Sequence, residues 1–252
     1  MEEQPQIIRP TIFDGLAGLL AGQSTRRGGV STSPYDSLNL GSSTDDDLSK
    51  VTENKKRFCE SLGFTVEQVV RSHQIHSDQI LIASQGGSYE GYDALVTQEP
   101  NLLLVVSTAD CVPILLYDPI NEVCAAIHAG WKGTVLKIVS KTVAMMEQHF
   151  GSIPANMKAY IGACIDHCHF EVGPEVLEKF ETKYISKIDE KSGKGYVDLK
   201  ASNQAQLLAA GLTSSNIETS PYCTFDDAHR FFSHRRDRGK TGRMWSVIGI
   251  IK

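Results

Sequence analysis

Three side chains of the types that bind zinc lie where a hairpin and the strand before it would bring them together. Cys111 and His128 flank two apolar runs that are joined by the turn 118–121, and a hairpin places the outer ends of its strands side by side. His76 lies where a preceding strand ends. Two imidazoles and one thiolate form an open zinc set, which leaves a fourth position for water or substrate. A metal there lowers the pKa of the bound water and holds Cys111 as a thiolate.

The spacing of these residues also admits a purely structural interpretation. Cys111 can be a small buried hydrophobe, and His128 can be a hydrogen-bonded core histidine. The neighbouring residues favour the metal site, because Gly130 and Gly133 indicate close backbone approach beside His128. Asp110 interrupts an apolar run, where an unpaired carboxylate is costly. We therefore expect Asp110 to act as a general acid or base, to orient a ligand histidine by a hydrogen bond, or to form local hydrogen bonds.

The elements that must position these side chains follow one another without a regular alternation of strands and helices. Apolar runs rich in Val, Ile and Leu predict strands over 68–72, 79–83, 102–107, 113–117, 123–128, 158–161 and 243–251. Helical spacing of apolar residues predicts helices over 48–62, 135–149, 175–183 and 199–211. The segment 25–44, which is rich in Gly, Ser and Thr, is expected to be an ordered loop. This pattern predicts an α+β fold with mixed β-sheets packed against helices. No linker divides the chain, so 1–252 is expected to form one domain.

Composition narrows the function to small-molecule chemistry. The chain has 252 residues and a net charge of -5, and its densest basic stretch, 235–243, is too short for a typical nucleic-acid surface. A chain of this length folds without a structural metal, so a metal site is expected to serve chemistry. The segment 1–4 lacks a signal pattern, and the longest apolar stretch, 102–117, is too short to span a bilayer. We expect a cytoplasmic protein with reduced cysteines and with no membrane or nucleic-acid partner; no pattern indicates its oligomeric state.

Nine segments of the chain, in an unchanged order, resemble those of the YfiH-like family: 25–31, 37–41, 74–76, 93–97, 109–114, 128–133, 170–173, 232–236 and 241–243. They extend over nearly the whole chain. Members of this family have been called laccase-domain proteins, peptidoglycan editing factors and purine nucleoside phosphorylases. The resemblance implies a YfiH-like fold and a metal site of two histidines and one cysteine, which map onto His76, Cys111 and His128. It also implies phosphorolysis of adenosine, inosine and methylthioadenosine, and deamination of adenosine.

These implied activities require a metal, which is expected to be zinc or else copper, and groups that bind nucleoside and phosphate. Deamination suits the metal set because an activated water can attack the purine C6 atom. Phosphorolysis needs a cation that holds phosphate. Arg26 is the first candidate, since guanidinium binds phosphate bidentately, although it can equally be a solvated loop residue. Asn39 is a candidate for a ribose hydroxyl or for a turn cap. Gln74 can contact substrate or support a strand end, and Lys132 can bind an anion or begin a helix in solvent.

A second group of possible ligands follows the strand over 158–161. Cys164, His167, Cys168 and His169 have a spacing typical of metal sites. We expect either a packed loop near the mouth of the active site or a second metal.

Three other functions stay open at this point. Cys111 can be the nucleophile of a cysteine hydrolase that acts on a cell-wall precursor, with His128 or His76 as its base. The same three residues can form the copper centre of a phenol oxidase, given a weak axial ligand and further histidine clusters. They can also belong to a metal-stabilised binding module, which requires a fourth protein ligand.

Overall fold

Two six-stranded β-sheets lie face to face at the centre of the molecule, and helices cover both outer faces. The structure is a computed structural model that describes residues 3–252. Met1 and Glu2, which belong to the expected domain and to the N-terminal segment assessed for a signal pattern, lie outside the described residues.

The described residues contain short strands in the order β1 (Ile7–Ile8), β2 (Leu19–Ser24), β3 (Val69–His73), β4 (Ile80–Ile82), β5 (Gly87–Glu90), β6 (Ala94–Thr97), β7 (Leu103–Thr108), β8 (Val112–Asp118), β9 (Val123–Ala129), β10 (Lys158–Ile161), β11 (Glu171–Val172), β12 (Ile185–Ser186), β13 (Gly195–Val197), β14 (Ile217–Thr219) and β15 (Met244–Ile250). The α-helices among them are α1 (Leu48–Ser61), α2 (Trp131–Val135), α3 (Ile138–Phe150), α4 (Pro174–Leu177) and α5 (Leu199–Ala209).

Both large sheets mix parallel and antiparallel pairs. The first has the strand order β1-β2-β15-β7-β3-β5, and the second has the order β14-β10-β8-β9-β6-β4. In the first sheet β3 runs parallel to β7, whereas β15 runs antiparallel to it. In the second sheet β8 and β9 form an antiparallel hairpin, and β4 runs parallel to β6. The prediction of an α+β fold with mixed sheets packed against helices is confirmed.

The alternation of side chains along β7 shows how the layers are held together. Leu104 and Val106 face the second sheet and belong to the core between the two sheets. Leu103 and Val105 point to the opposite side, where they pack against Phe58 of α1. Successive residues of a strand point to opposite faces, so a strand that is apolar throughout must be covered on both sides. The outer face of the second sheet is covered in the same way by α3 and α5.

Two helix predictions are wrong in extent. The helix predicted over 135–149 corresponds to α3, which begins later at Ile138 because Lys137 adopts a left-handed backbone with φ 60°, and the short α2 precedes this break. The side-chain amide of Gln206 on α5 donates to the Thr134 carbonyl at 2.8 Å and supports this break. The helix predicted over 175–183 ends at Leu177, and Glu181 is extended. Strand β2 was not predicted, since polar residues interrupt its short apolar run. No helix in the described range 3–252 has the length and apolar character needed to cross a bilayer.

Candidate metal centre

The β8–β9 hairpin brings Cys111 beside His128. Val112 pairs with Ala129 and Pro113 pairs with His128, so Cys111 lies at the open end of the hairpin. The chain reaches Cys111 from β7 through Asp110, whose φ of 94° makes the sharp turn between the two sheets. The hairpin prediction therefore holds, and it accounts for two of the three predicted ligands.

His76 joins this pair from the loop after β3, and a buried carboxylate holds it there. Its backbone lies in the left-handed region with φ 60°, which is uncommon for a residue other than glycine. Asp93, which is fully buried, accepts hydrogen bonds from the backbone N–H groups of Ile75, His76 and Ser77 at 3.2, 3.0 and 2.7 Å. These bonds fix the backbone of the His76 loop.

Asp93 also orients His128. Its Oδ1 lies 2.8 Å from the Nδ1 atom of His128, which is 3% exposed. A carboxylate at this position favours the proton on Nδ1 and leaves the lone pair on Nε2 for a ligand. One carboxylate thus positions both histidines.

We call His76, Cys111 and His128 the His–Cys cluster, and its geometry fits a metal ion. The ligand atoms all lie within 4.8 Å of one another. Zinc bonds of about 2.0 Å to nitrogen and 2.3 Å to sulfur, at a tetrahedral angle, place the two donor atoms about 3.5 Å apart. In the structure, His76 Nε2 and Cys111 Sγ are 3.9 Å apart. Within residues 3–252 the group has three donors, as expected for a site that keeps one position open.

Gly130 leaves the space that the cluster needs. A Cβ atom at this position would lie 2.9 Å from His76 Cδ2 and 3.1 Å from Cys111 Sγ. Both distances are shorter than carbon atoms tolerate without movement of a neighbour. The glycine is thus required by the close approach of two ligand side chains rather than by a left-handed backbone.

The electrostatics of the cluster favour a thiolate. Burial opposes ionisation of the Cys111 thiol, but the charge and hydrogen bond of His128, together with His76, lower its pKa below the ordinary value. Burial also disfavours a charged His128, but the Cys111 thiolate and the Asp93 hydrogen bond raise the pKa of this imidazole. A thiolate beside donors of this kind is the form that binds a metal or attacks an electrophile.

The cluster opens on a cleft with a volume of about 670 Å³. This volume falls within the range of about 300–1,000 Å³ that is usual for small-molecule sites. Ile165 and Phe170 provide apolar lining near the cluster, and Ser42, Arg71 and Arg235 provide polar lining.

Asp110 lies in this cleft but does not orient a histidine. Its Oδ1 accepts from the Thr224 hydroxyl at 2.7 Å, and its Oδ2 accepts from the backbone N–H of Arg235 at 2.7 Å. Of the roles expected for Asp110, local hydrogen bonding is the one observed, because Asp93 occupies the position that orients His128. Asp110 ties the turn that carries Cys111 to the loop 224–235, and this supports a positioning role rather than proton transfer.

The four residues predicted to bind substrate are not brought together at the cleft. Arg26 lines a separate pocket, where its guanidinium pairs with Asp36 at 3.3 Å and donates to the Ala228 carbonyl. Asn39 is fully buried, and its amide oxygen accepts from the backbone N–H groups of Gly41 and Arg243. These contacts fit the turn-cap alternative stated for Asn39, and they engage the guanidinium of Arg26 within the protein, away from the cleft lining.

Gln74 lines the cleft and Lys132 does not, but the contacts of both side chains fit a structural role. Gln74 lines the cleft, yet its amide is engaged at both ends by the backbone of Ser107, at 2.9 Å and 2.7 Å. Lys132 lies outside the cleft lining in the first turn of α2, with its ammonium 5.7 Å from the centre of the Trp131 ring. The structural alternatives stated for these two residues describe them better.

Asp93 is the functional residue that sequence reasoning missed. It lies in one of the segments that resemble the YfiH-like family, just before β6. The sequence feature that could have identified it is a carboxylate directly before a run of four buried strand residues, where an unpaired charge is costly. Nothing in that pattern indicates which histidine it meets.

The second predicted group is divided by the structure. Cys164 is fully buried, and its backbone forms an isolated β-bridge with that of Cys223, while both thiols are free. His167 lies 3.8 Å from Asp198. Cys168 and His169 lie near the surface with Asp226, and their ligand atoms are within 4.8 Å of one another. His169 Nε2 pairs with Asp226 Oδ1 at 2.6 Å and its ring stacks on Phe225, which accounts for this arrangement as a packed loop.

This α+β fold, with a His–Cys cluster at one cleft, is that of a known class of proteins. A solved structure of Bacillus licheniformis protein YfiH superposes with a TM-score of 0.90 and 36% identity, covering 94% of both chains. The family model described as multi-copper polyphenol oxidoreductase laccase matches residues 20–251, and the chain belongs to this family.

Relatives of the chain are named as enzymes of purine nucleosides. A purine nucleoside phosphorylase of Deinococcus radiodurans is 41% identical over 228 residues, which cover 90% of this chain and 87% of the relative. An adenosine deaminase from an unknown prokaryotic organism is 34% identical over 241 residues, which cover 89% and 92%. The resemblance to YfiH-like proteins is confirmed.

Proposed function

We propose that this chain is a zinc-dependent enzyme of purine nucleosides, which catalyses phosphorolysis of adenosine, inosine and methylthioadenosine and deamination of adenosine. The observation that carries the proposal is the convergence of His76, Cys111 and His128 on one cleft of small-molecule size. The names of the relatives support the substrate class.

The protein's own residues prepare this site in three ways. Asp93 holds the proton of His128 on Nδ1, so that Nε2 faces the other two donors. The turn at Asp110 sets the direction of the Cys111 side chain. Ile165 and Phe170 provide an apolar surface that suits a planar purine and excludes water beside the cluster. When bound by the three donors, zinc supplies a Lewis acid that polarises an oxygen and lowers the pKa of a water.

Two of the alternative functions fit these contacts less well. A metal-stabilised binding module needs a fourth protein ligand, and the cluster has three donors within the described residues. A phenol oxidase with several copper ions needs further histidine clusters. The other metal-type group in residues 3–252 contains one histidine, His169, already paired with Asp226. The laccase description of the family therefore does not decide the reaction.

The direct test is to incubate the purified protein with adenosine, with and without phosphate, and to follow adenine, inosine and ribose 1-phosphate. His76→Ala and Cys111→Ala should abolish product formation and zinc retention. Cys168→Ala is the matched control, because this cysteine is exposed and lies outside the cleft lining, and it should keep both. Absence of all three products from the zinc-loaded wild type would refute the proposal.

A cysteine hydrolase remains the second candidate, because one specific arrangement favours it. Cys111, His128 and Asp93 form a thiol–imidazole–carboxylate series of the kind that activates a nucleophilic cysteine. The two functions differ in their response to chelators. Hydrolysis of a cell-wall precursor by the Cys111 thiolate should survive metal removal and stop on alkylation. The zinc enzyme should stop on metal removal and recover when zinc is added.

A further inference from the structure

Two basic side chains at one end of the cleft donate to the same hydroxyl group. Lys55 belongs to α1, and its ammonium donates to Ser42 Oγ. Arg71 belongs to β3, and its guanidinium donates to the same oxygen at 2.9 Å. Ser42 and Arg71 line the cleft, whereas Lys55 lies behind them with 8% of its surface exposed.

Lys55 occupies an unusual position for a lysine. It lies on the buried side of α1, in the stripe that contains Val51, Phe58 and Cys59. Its ammonium is 5.8 Å from the centre of the Trp245 ring, which gives it a weak electrostatic partner. Burial and the nearby charge of Arg71 lower its pKa to about 8. A charge placed at such cost on an apolar helix face calls for a compensating anion.

No carboxylate provides that compensation within residues 3–252. Neither Lys55 nor Arg71 forms an ion pair with a described acidic residue, although Glu90 lines the same cleft. The carboxylate of Asp110 is engaged by Thr224 and by the backbone of Arg235. The two cations are therefore left without a negative partner in the part of the chain that the structure describes.

The hydrogen-bonding capacity of the group is also incomplete. The two lone pairs of the Ser42 hydroxyl are used by Lys55 and Arg71, which leaves its proton to be donated outward. A guanidinium has five N–H donors, and Arg71 uses one of them on Ser42. Donors of this kind, clustered beside positive charge, match the oxygens of a phosphate.

Ser42 and Arg71 line the same cleft as the His–Cys cluster, and Arg243 lines it as well. The side chain of Arg243 packs on Gly41, next to Ser42, so closely that a Cβ on the glycine would lie 2.6 Å from Arg243 Cγ. Burial lowers the pKa of Arg243, while the negative charges of Cys111 and Asp110 act to raise it. The guanidinium of Arg243 is therefore close enough to Cys111 for the two charges to interact. A ligand that spans the cleft can therefore meet both groups.

We propose that Ser42, Arg71 and Lys55 form an anion subsite that binds inorganic phosphate, the second substrate of phosphorolysis. This assignment rests on the proposed function and replaces Arg26 in the role predicted for it. In the reaction, an oxygen of hydrogen phosphate bonds to C1′ of the nucleoside as the C1′–N9 bond breaks. The electron pair of that bond goes to the purine, which also receives the proton of the hydrogen phosphate. Ribose 1-phosphate and the free base are the products.

The test measures binding of inorganic phosphate to the zinc-loaded protein by isothermal titration calorimetry. Lys55→Met keeps the apolar stem of the side chain and removes its charge, and Arg71→Gln removes the guanidinium. Each should raise the Kd for phosphate at least tenfold. Lys56→Met is the matched control, because Lys56 is the next residue on α1, is well exposed and pairs with Glu60 instead. It should bind phosphate with a Kd within twofold of the wild type.

The outcomes separate this assignment from the proposed function. Equal Kd values for the wild type and both cleft variants, or no phosphate binding by the wild type, would overturn the subsite. If the wild type catalyses phosphorolysis and the KM for phosphate is unchanged in both variants, the subsite is wrong and the proposed function stands. If phosphate binding falls in the variants but no phosphorolysis occurs, the subsite stands and the proposed function is wrong. Should Arg71→Gln fail to fold, Lys55→Met and Ser42→Ala carry the test, with thermal unfolding as the check on folding.

Discussion

Replacing Asp93 by asparagine should uncouple the two histidines of the His–Cys cluster, because every hydrogen-bonding position of this carboxylate faces a donor. Its Oδ2 accepts from the backbones of Ile75 and Ser77 and from the Ser77 hydroxyl. Its Oδ1 accepts from the backbone of His76 and from His128 Nδ1. An asparagine has a single acceptor oxygen, so its NH₂ group must face donors on one side.

The size of the effect follows from these bonds. At least two hydrogen bonds to a charged acceptor are lost, and each contributes about 1.5–3 kcal/mol. The free energy of unfolding should fall by about 3–6 kcal/mol. If the NH₂ group faces His128, the imidazole must accept on Nδ1 and carry its proton on Nε2, which removes the lone pair that binds a metal. Loss of such a partner usually weakens metal binding by about 10–100-fold.

Two measurements check this prediction: urea unfolding, and zinc affinity by competition with a chromogenic chelator. Asp118→Asn is a matched control, because Asp118 is also fully buried and accepts from Ile120 and Asn121 at the opposite end of the same hairpin. It should lower stability and leave the Kd for zinc unchanged. An Asp93→Asn protein with wild-type zinc affinity and a stability loss below about 1 kcal/mol would refute the reasoning.

Other substitutions test the packing and charge around the cluster. Gly130→Ala should weaken zinc binding at least tenfold, because the new Cβ would lie 2.9 Å from His76 and 3.1 Å from Cys111; chelator competition measures the change. Lys55→Met should raise the free energy of unfolding at pH 7 by about 1–3 kcal/mol, allowing for solvent screening, because the wild-type pKa falls from 10.5 to about 8 on folding. The unfolded chain holds this proton more tightly, so wild-type stability rises between pH 8 and pH 10.5. The advantage of the variant should therefore be full below pH 8 and vanish above pH 10.5, and a pH-independent difference in urea unfolding would contradict this account. Phe58→Ala should lower stability by about 3–5 kcal/mol without changing zinc affinity, since the ring is fully buried between α1 and the first sheet.

Local patterns predicted much of the fold. The strands around the hairpin, the helix α1 and the helix α5 have ends within a few residues of their predicted positions, because each carries its own apolar periodicity. The helix break at Lys137 was not predictable in this way. The side chain of Gln206, 72 positions after Thr134, donates to the Thr134 carbonyl beside this break, and that contact forms only when α5 packs beside α2.

The predicted site shows the same division. Cys111 and His128 could be paired from sequence because a hairpin is a local structure with a known register. The carboxylate partner of His128 could not be identified, since Asp93 meets it only through the pairing of β6 with β9, two strands that are separated in the sequence. The sequence shows a charged residue, Lys55, on the apolar stripe of α1. That Lys55 and Arg71 both donate to the Ser42 hydroxyl depends on how three separate elements pack.

The amino-acid sequence by itself determined the donor types available for a metal, the alternation that covers each central strand on both faces, and the hairpin that joins two of the ligands. The tertiary structure decided which carboxylate supports the histidines and which cations line the cleft, placing Asp93 and Arg71 where Asp110 and Arg26 were expected. The physical reason is that periodicity and turn chemistry act over a few residues. A hydrogen bond between distant segments depends on the packing of whole sheets and helices, which no single segment encodes.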